Sequence, residues 1–177
     1  MFLRVLGLAA VLVVVDQATK FWAVSALSGG RVIDVIGELI QFRLIYNPGA
    51  AFSIGTGHTW IFAVASAAVV GFVTWLARRV KWWQWAGALG LVLGGATTHL
   101  LDRLFREPGF ARGAVVDFID YFDLFVGNVA DIALVVGIAW AALLHLRGIG
   151  FDGKRVDDRQ PAESGRDPAG SADAAEG

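Results

Sequence analysis

No cysteine occurs among the 177 residues. Disulfides, thiolate metal sites and a cysteine nucleophile are thereby excluded. Charge is scarce as well. Only 18% of residues are charged against 56% hydrophobic, and mean hydropathy is +0.59. A soluble domain is nearer about 25% charged, so the excess of apolar residues points to a membrane. The net charge is −1, and no bulk field favours a nucleic-acid partner. The three histidines, His58, His99 and His145, are far apart in sequence and lack the spacing of a zinc site, so no metal is expected. No G-x-x-x-x-G-K-[ST] run is present, and no cofactor is expected.

What the chain has is long apolar runs. Residues 59–77 contain no charge, residues 82–101 contain no Asp, Glu, Lys or Arg, and residues 124–146 contain one charge, Asp131. Residues 2–27 form a fourth run, interrupted by Arg4, Asp16 and Lys20. About 20 apolar residues cross the roughly 30 Å of bilayer hydrocarbon as a helix. The expected fold is an all-α integral membrane protein with four transmembrane helices. Ala23-Val24-Ser25 loosely fits a signal-peptide cleavage site, but the polar Asp16-to-Lys20 run and the three later spans favour a retained first helix.

Orientation follows from basic residues in short loops. Arg4 precedes the first span, Arg78, Arg79 and Lys81 join the second to the third, and Arg147, Lys154 and Arg155 follow the fourth. Both termini are thus expected in the cytoplasm, with segments 28–57 and 102–123 outside. Residues 31–46 are rich in β-branched and aromatic side chains, and a turn at Gly37-Glu38 predicts a small extracytoplasmic β-hairpin. Asn47 to Ser53 returns the chain to the second span, and 102–123 is read as a loop with a Pro108-Gly109 turn. Residues 1–147 form one membrane domain. Residues 148–177 lack apolar periodicity and are expected to be a disordered cytoplasmic tail. Trp82, Trp83 and Trp85 are read as part of an interfacial belt.

Four carboxylates, Asp16, Asp102, Asp117 and Asp131, fall at the outer ends of these spans. Ionisable groups at such depth are expensive and mark functional sites. At 1.5 Å per residue, Asp16 and Asp131 both lie about 22 Å from the cytoplasmic face. Fourteen residues separate Asp117 from Asp131, enough for the loop to fold back and pair them. Two facing carboxylates in a dry site share one proton, and the pair then serves as acid and base. The alternative makes Asp117 a loop residue and Asp131 a partner of Lys20 or Arg103. Asp16 and Lys20, at i and i+4, are read as a structural ion pair. Asp102-Arg103 either ends the third span or offers Arg103 to a carbonyl or phosphate. Asn47 alone says little. Gly94-Gly95 permits close approach of a helix or ligand chain, and His99 is either structural or a proton carrier.

Taken together these residues resemble the lipoprotein signal peptidases (signal peptidase II), over residues 12–135. The resemblance rests on ordered blocks: Asp16-Gln17-x-Thr19-Lys20, Asn47-x-Gly49-x-Ala51-Phe52, Gly94-Gly95-Ala96 with Asp102-Arg103, Val116-Asp117-Phe118, and Asn128-x-Ala130-Asp131. It implies an aspartic endopeptidase of the bacterial cytoplasmic membrane, with its active site at the extracytoplasmic face; a monomer is expected. Its partners would be membrane lipid and diacylglyceryl-modified prolipoproteins, cut just before the lipidated cysteine. Asp117 and Asp131 match the catalytic dyad. Asn47, Gly49, Asp102, Arg103 and Asn128 match site-lining or supporting positions, and Asp16 with Lys20 a structural pair. The family usually reads Gly-Asn where this chain has Thr98-His99, and Phe-Asn where it has Gly127-Asn128. The alternative is therefore a divergent paralogue that binds lipoproteins with weak or no activity. A proton-coupled carrier fits less well, because the cytoplasmic halves of the spans carry little charge and no repeat is visible.

Overall fold

The computed structural model describes residues 1–49 and 59–155. Among these, the elements follow in the order α1 (Phe2–Leu27), β1 (Val32–Ile36), β2 (Ile40–Asn47), α2 (Thr59–Ala77), α3 (Trp83–Phe105), β3 (Val115–Tyr121), β4 (Phe125–Gly127) and α4 (Val129–Leu146). α1, α2 and α4 are long and apolar enough to cross a membrane. Their outer faces carry bare apolar side chains, with Leu3 80%, Phe72 60% and Val135 68% exposed. Apolar exposure on this scale requires lipid to cover it. The chain is a multi-pass membrane protein.

α3 is different because it is surrounded by protein. It packs against α1, α2 and α4 and buries most of its length. Shielding from lipid lets it carry Thr98, His99, Asp102 and Arg103. Its adjacent glycines admit a neighbour on each side. A Cβ at Gly94 would meet Leu12 Cδ2 at 2.7 Å and Ala9 Cα at 3.1 Å, while one at Gly95 would meet Leu134 Cγ at 2.6 Å. The close approach expected at this pair is thus made by α1 and α4.

Two helix boundaries differ from expectation. α3 continues to Phe105, so Asp102 and Arg103 lie within its last turns. α4 starts at Val129, not residue 124, because Phe125–Gly127 is drawn into the sheet and Asn128 caps the helix. The hairpin turning at Gly37 is present, with Val32 opposite Arg43, but it forms half of a four-stranded antiparallel sheet ordered β1-β2-β3-β4. Residues 115–121, read as loop, are its third strand. Alternation sends Val116 and Phe118 into the core, where the Phe118 ring meets Trp22 and Phe42. Val115 and Asp117 face the opposite way, into a cleft.

The region after α4 also departs from the reading of a disordered tail. Residues 148–155 fold back under α3, where Phe151 O accepts from Lys81 N at 2.9 Å and Trp82 N at 3.1 Å. Trp85 is buried within the protein. Its Nε1 donates to Ile149 O at 3.1 Å, and its ring meets Phe151 edge-on at 4.7 Å. The rest of the predicted tail, 156–177, and the return segment 50–58, with Ala51, Phe52 and Ser53, lie outside the described residues.

A buried ion cluster fixes the helices at the sheet end. Lys20 Nζ lies 2.7 Å from Asp16 Oδ2 and 2.7 Å from Asp102 Oδ2, joining α1 to α3. Asp16 Oδ1 accepts from Ala130 N at 2.9 Å, satisfying a free amide of the first turn of α4. Asp102 Oδ2 also accepts from Val116 N at 3.4 Å, reaching β3. The three side chains are 0–1% exposed. Replacing Lys20 by Met leaves two buried carboxylates without their cation. A loss of roughly 3–5 kcal/mol is expected. Melting of the purified protein in detergent should drop by at least about 6 °C; an unchanged melting temperature would show that the cluster does not hold the helices together.

Candidate active site

Asp131 stands in the first turn of α4 and is fixed by its own helix. Asn128, the N-cap, accepts from Asp131 N at 3.2 Å through Oδ1, and Asp131 Oδ2 accepts from Asn128 N at 2.8 Å. This reciprocal box satisfies two end groups and sets the carboxylate's rotamer. Its other oxygen, Oδ1, lies 3.1 Å from His99 Nε2. The expected alternatives, Lys20 and Arg103, are both engaged elsewhere.

Asp117 is held from two sides by amides. Asn47 Nδ2 donates to Oδ2 at 3.0 Å, and Asn128 Nδ2 to Oδ1 at 2.6 Å. Asn128 is fully buried, so one side chain both caps α4 and orients Asp117. Asp117 is 4% exposed whereas Asp131 is 29% exposed. Burial, followed by the nearby Asp131 charge, pushes the Asp117 carboxyl up to about 6, against the pull of both amides and of His99. Both carboxylates line one cleft of about 230 Å³, together with Asn47, Phe62, His99 and Arg103.

Arg103 does not offer its guanidinium to solvent. Nη1 donates to Asn47 O at 3.1 Å and Gly113 O at 3.0 Å, and Nη2 donates to Gly49 O. Its planar fork gathers the end of β2 and the loop before β3 around the cleft. Asn47 is likewise committed, its Oδ1 accepting from Gly49 N at 3.0 Å. The carbonyls that Arg103 binds in this structure are the protein's own. Asp16, Lys20 and Asp102 sit behind the cleft, as the supporting cluster described above.

Sequence reasoning gave no role to Gln17 or Arg106. Gln17 Nε2 and Arg106 Nε donate to Asp102 Oδ1 at 3.0 and 2.7 Å. The i, i+4 spacing of Asp102 and Arg106 carried that signal, as it did for Asp16 and Lys20. The departures from the family pattern are absorbed locally. Thr98 is fully buried and donates to Gly95 O in its own helix at 3.1 Å. A Cβ at Gly127 would crowd Phe125 Cε1 at 2.8 Å and Asp131 Oδ2 at 3.0 Å, so the Phe125 ring fills that space.

Comparison with known proteins gives the family of the chain. The family model for signal peptidase (SPase) II matches residues 8–147. The chain is 48% identical over 162 residues to the lipoprotein signal peptidase of Leifsonia xyli subsp. xyli, covering 91% of this chain and 75% of that protein. It is 42% identical over 168 residues to that of Mycolicibacterium smegmatis, covering 95% and 71%. A bacterial membrane enzyme solved by the in meso method at 2.3 Å shares the fold with a TM-score of 0.71 at 24% identity, covering 80% of this chain and 87% of that one. The chain belongs to the signal peptidase II family.

Proposed function

We propose that this protein is a membrane aspartic endopeptidase that removes the signal peptide from diacylglyceryl-modified prolipoproteins, cutting just before the lipidated cysteine. The observation that carries the reading is the meeting of Asp117 and Asp131, from a strand and a helix, in one cleft of a signal peptidase II family member. The unequal surroundings of the two suggest their roles. Asp117, buried and raised to about 6, keeps the shared proton. Asp131, more exposed and surrounded by N–H donors, acts as base towards a water. Asp131 takes a proton from that water as its oxygen attacks the scissile carbonyl carbon, and Asp117 gives its proton to the carbonyl oxygen. In collapse of the tetrahedral intermediate, Asp117 takes a proton back, Asp131 donates to the amine nitrogen, and the C–N bond breaks.

The substrate's lipid chains would approach through the bilayer. An apolar groove of about 480 Å³ runs beside the dyad along Phe125, Ile132, Leu134, Val135 and Val136, with Asp131 at its edge. We read the acting unit as a monomer. We further read α3 as the fourth span and residues 1–147 as the peptidase domain. Arg4, Arg78, Arg79, Lys81 and Arg147 cluster at the end remote from the sheet, which by the bias of basic loops is cytoplasmic. The dyad then opens at the outer face of the bacterial cytoplasmic membrane.

Three outcomes are expected. Purified wild-type protein in detergent should shift a diacylglyceryl-modified prolipoprotein on a gel, and Asp117→Asn and Asp131→Asn should each lower the rate by at least about 10³-fold; cleavage by either variant near the wild-type rate would defeat the dyad. The acid form of Asp117 is lost as pH rises through about 6. kcat/KM should therefore fall about tenfold per unit above that point, and a profile flat to pH 8 would contradict the assignment. The chain has no cysteine of its own, so single cysteines report topology. Glu38→Cys should react with an impermeant maleimide in intact cells, and Arg79→Cys only after permeabilisation; the reverse pattern would invert the orientation.

A further inference from the structure

His99 is a titratable side chain in the cleft that the reaction above does not use. It lies on α3, 18% exposed, with Nε2 3.1 Å from Asp131 Oδ1. It also lines the cleft that holds Asp117, and its charge acts on that carboxyl. Among the described residues, the other groups facing it are few. α4 presents Asp131, β3 presents Asp117, and α3 itself presents Arg103 one turn away, whose guanidinium is tied to backbone carbonyls. From α2 the cleft receives Phe62, Ala65 and Ser66, none of which titrates. Among the described residues the imidazole thus faces two carboxylates and one committed cation.

An asparagine in this place would offer one amide N–H group and no charge. A histidine offers a ring N–H in either protonation state and a full positive charge in one. We propose that His99 is a positioning residue of the peptidase reaction, which holds the Asp131 carboxylate through Nε2 and faces Asp117 across the same cleft. The proposal rests on the aspartic peptidase reading. The charge of His99 opposes, at Asp117, the repulsion that comes from Asp131.

The test compares wild type with His99→Asn and His99→Leu by two readouts. One is the pH profile of prolipoprotein cleavage. The other is the carbon-13 NMR titration of the Asp117 carboxyl, assigned by its loss in Asp117→Asn, which needs no activity. His99→Asn keeps a donor and removes the charge. It should move both the Asp117 midpoint and the basic limb of kcat/KM upward by about half to one pH unit, with KM within about twofold. His99→Leu removes donor and charge, and should lower kcat at least about tenfold while the protein still melts cooperatively. A midpoint and limb unmoved in His99→Asn, or His99→Leu with wild-type kcat, would overturn the proposal. If the wild type fails to cleave, the peptidase reading falls, and the Asp117 titration still decides whether His99 acts on the dyad.

Discussion

One buried ammonium organises the sheet end of this molecule. Lys20 is fully buried between two carboxylates, Asp16 on α1 and Asp102 on α3. A charge in so dry a place is held only by partners of opposite sign and good geometry. Each partner then uses its remaining oxygen elsewhere, Asp16 on the first turn of α4 and Asp102 on Gln17 and Arg106. Asp102 also reaches β3 through Val116 N. One cation therefore fixes the relative positions of α1, α3, α4 and β3. The last two carry Asp131 and Asp117, so the placement of the candidate dyad is set by groups that do not enter the cleft.

The cleft itself is built by dual use of side chains. Asn128 ends β4's approach, caps α4 and aims Asp117. Asn47 shapes the turn after β2 and holds the other Asp117 oxygen. Arg103 ties β2 and the segment before β3 with its guanidinium fork. Almost every polar group near the two carboxylates is thus already satisfied within the protein. Such pre-organisation leaves the carboxylates as the groups free to act on an incoming water and peptide bond. The apolar groove along α4 meets the cleft at Asp131 and Phe125, which suits a substrate that is part lipid.

Much of this was legible in the sequence because lipid makes residue choice strict. A charge inside an apolar run has few permitted reasons, so Asp16, Lys20, Asp102 and Asp131 stood out before any fold was known. The equal depth expected of Asp16 and Asp131 is realised as the bond from Ala130 N to Asp16. Less legible was the sheet. Val115–Tyr121 carries the β-branched and aromatic residues of a strand, yet it follows a turn signal and joins a β2 distant in sequence, and such pairing is a tertiary choice. The early part of α4 was misread because Phe125–Gly127 is as apolar as a helix start, and the cap at Asn128 decides the boundary. The backbone partners of Arg103 were not legible, because composition cannot distinguish a guanidinium facing a ligand from one facing backbone carbonyls. The segment 148–155 lacks periodicity, and its order comes from docking on Trp82 and Trp85.

The central claim is that Asp117 and Asp131 form a coupled pair with one proton between them. Carbon-13 NMR of aspartate-labelled protein tests it most directly, by following the Asp117 carboxyl from pH 4 to 8 with and without the Asp131→Asn substitution. A midpoint at about 6 that falls when Asp131 is made neutral is the expected result. A midpoint near the ordinary carboxylate value of about 4, unmoved by that substitution, would mean that the two groups titrate independently and that the dyad is not the reaction centre.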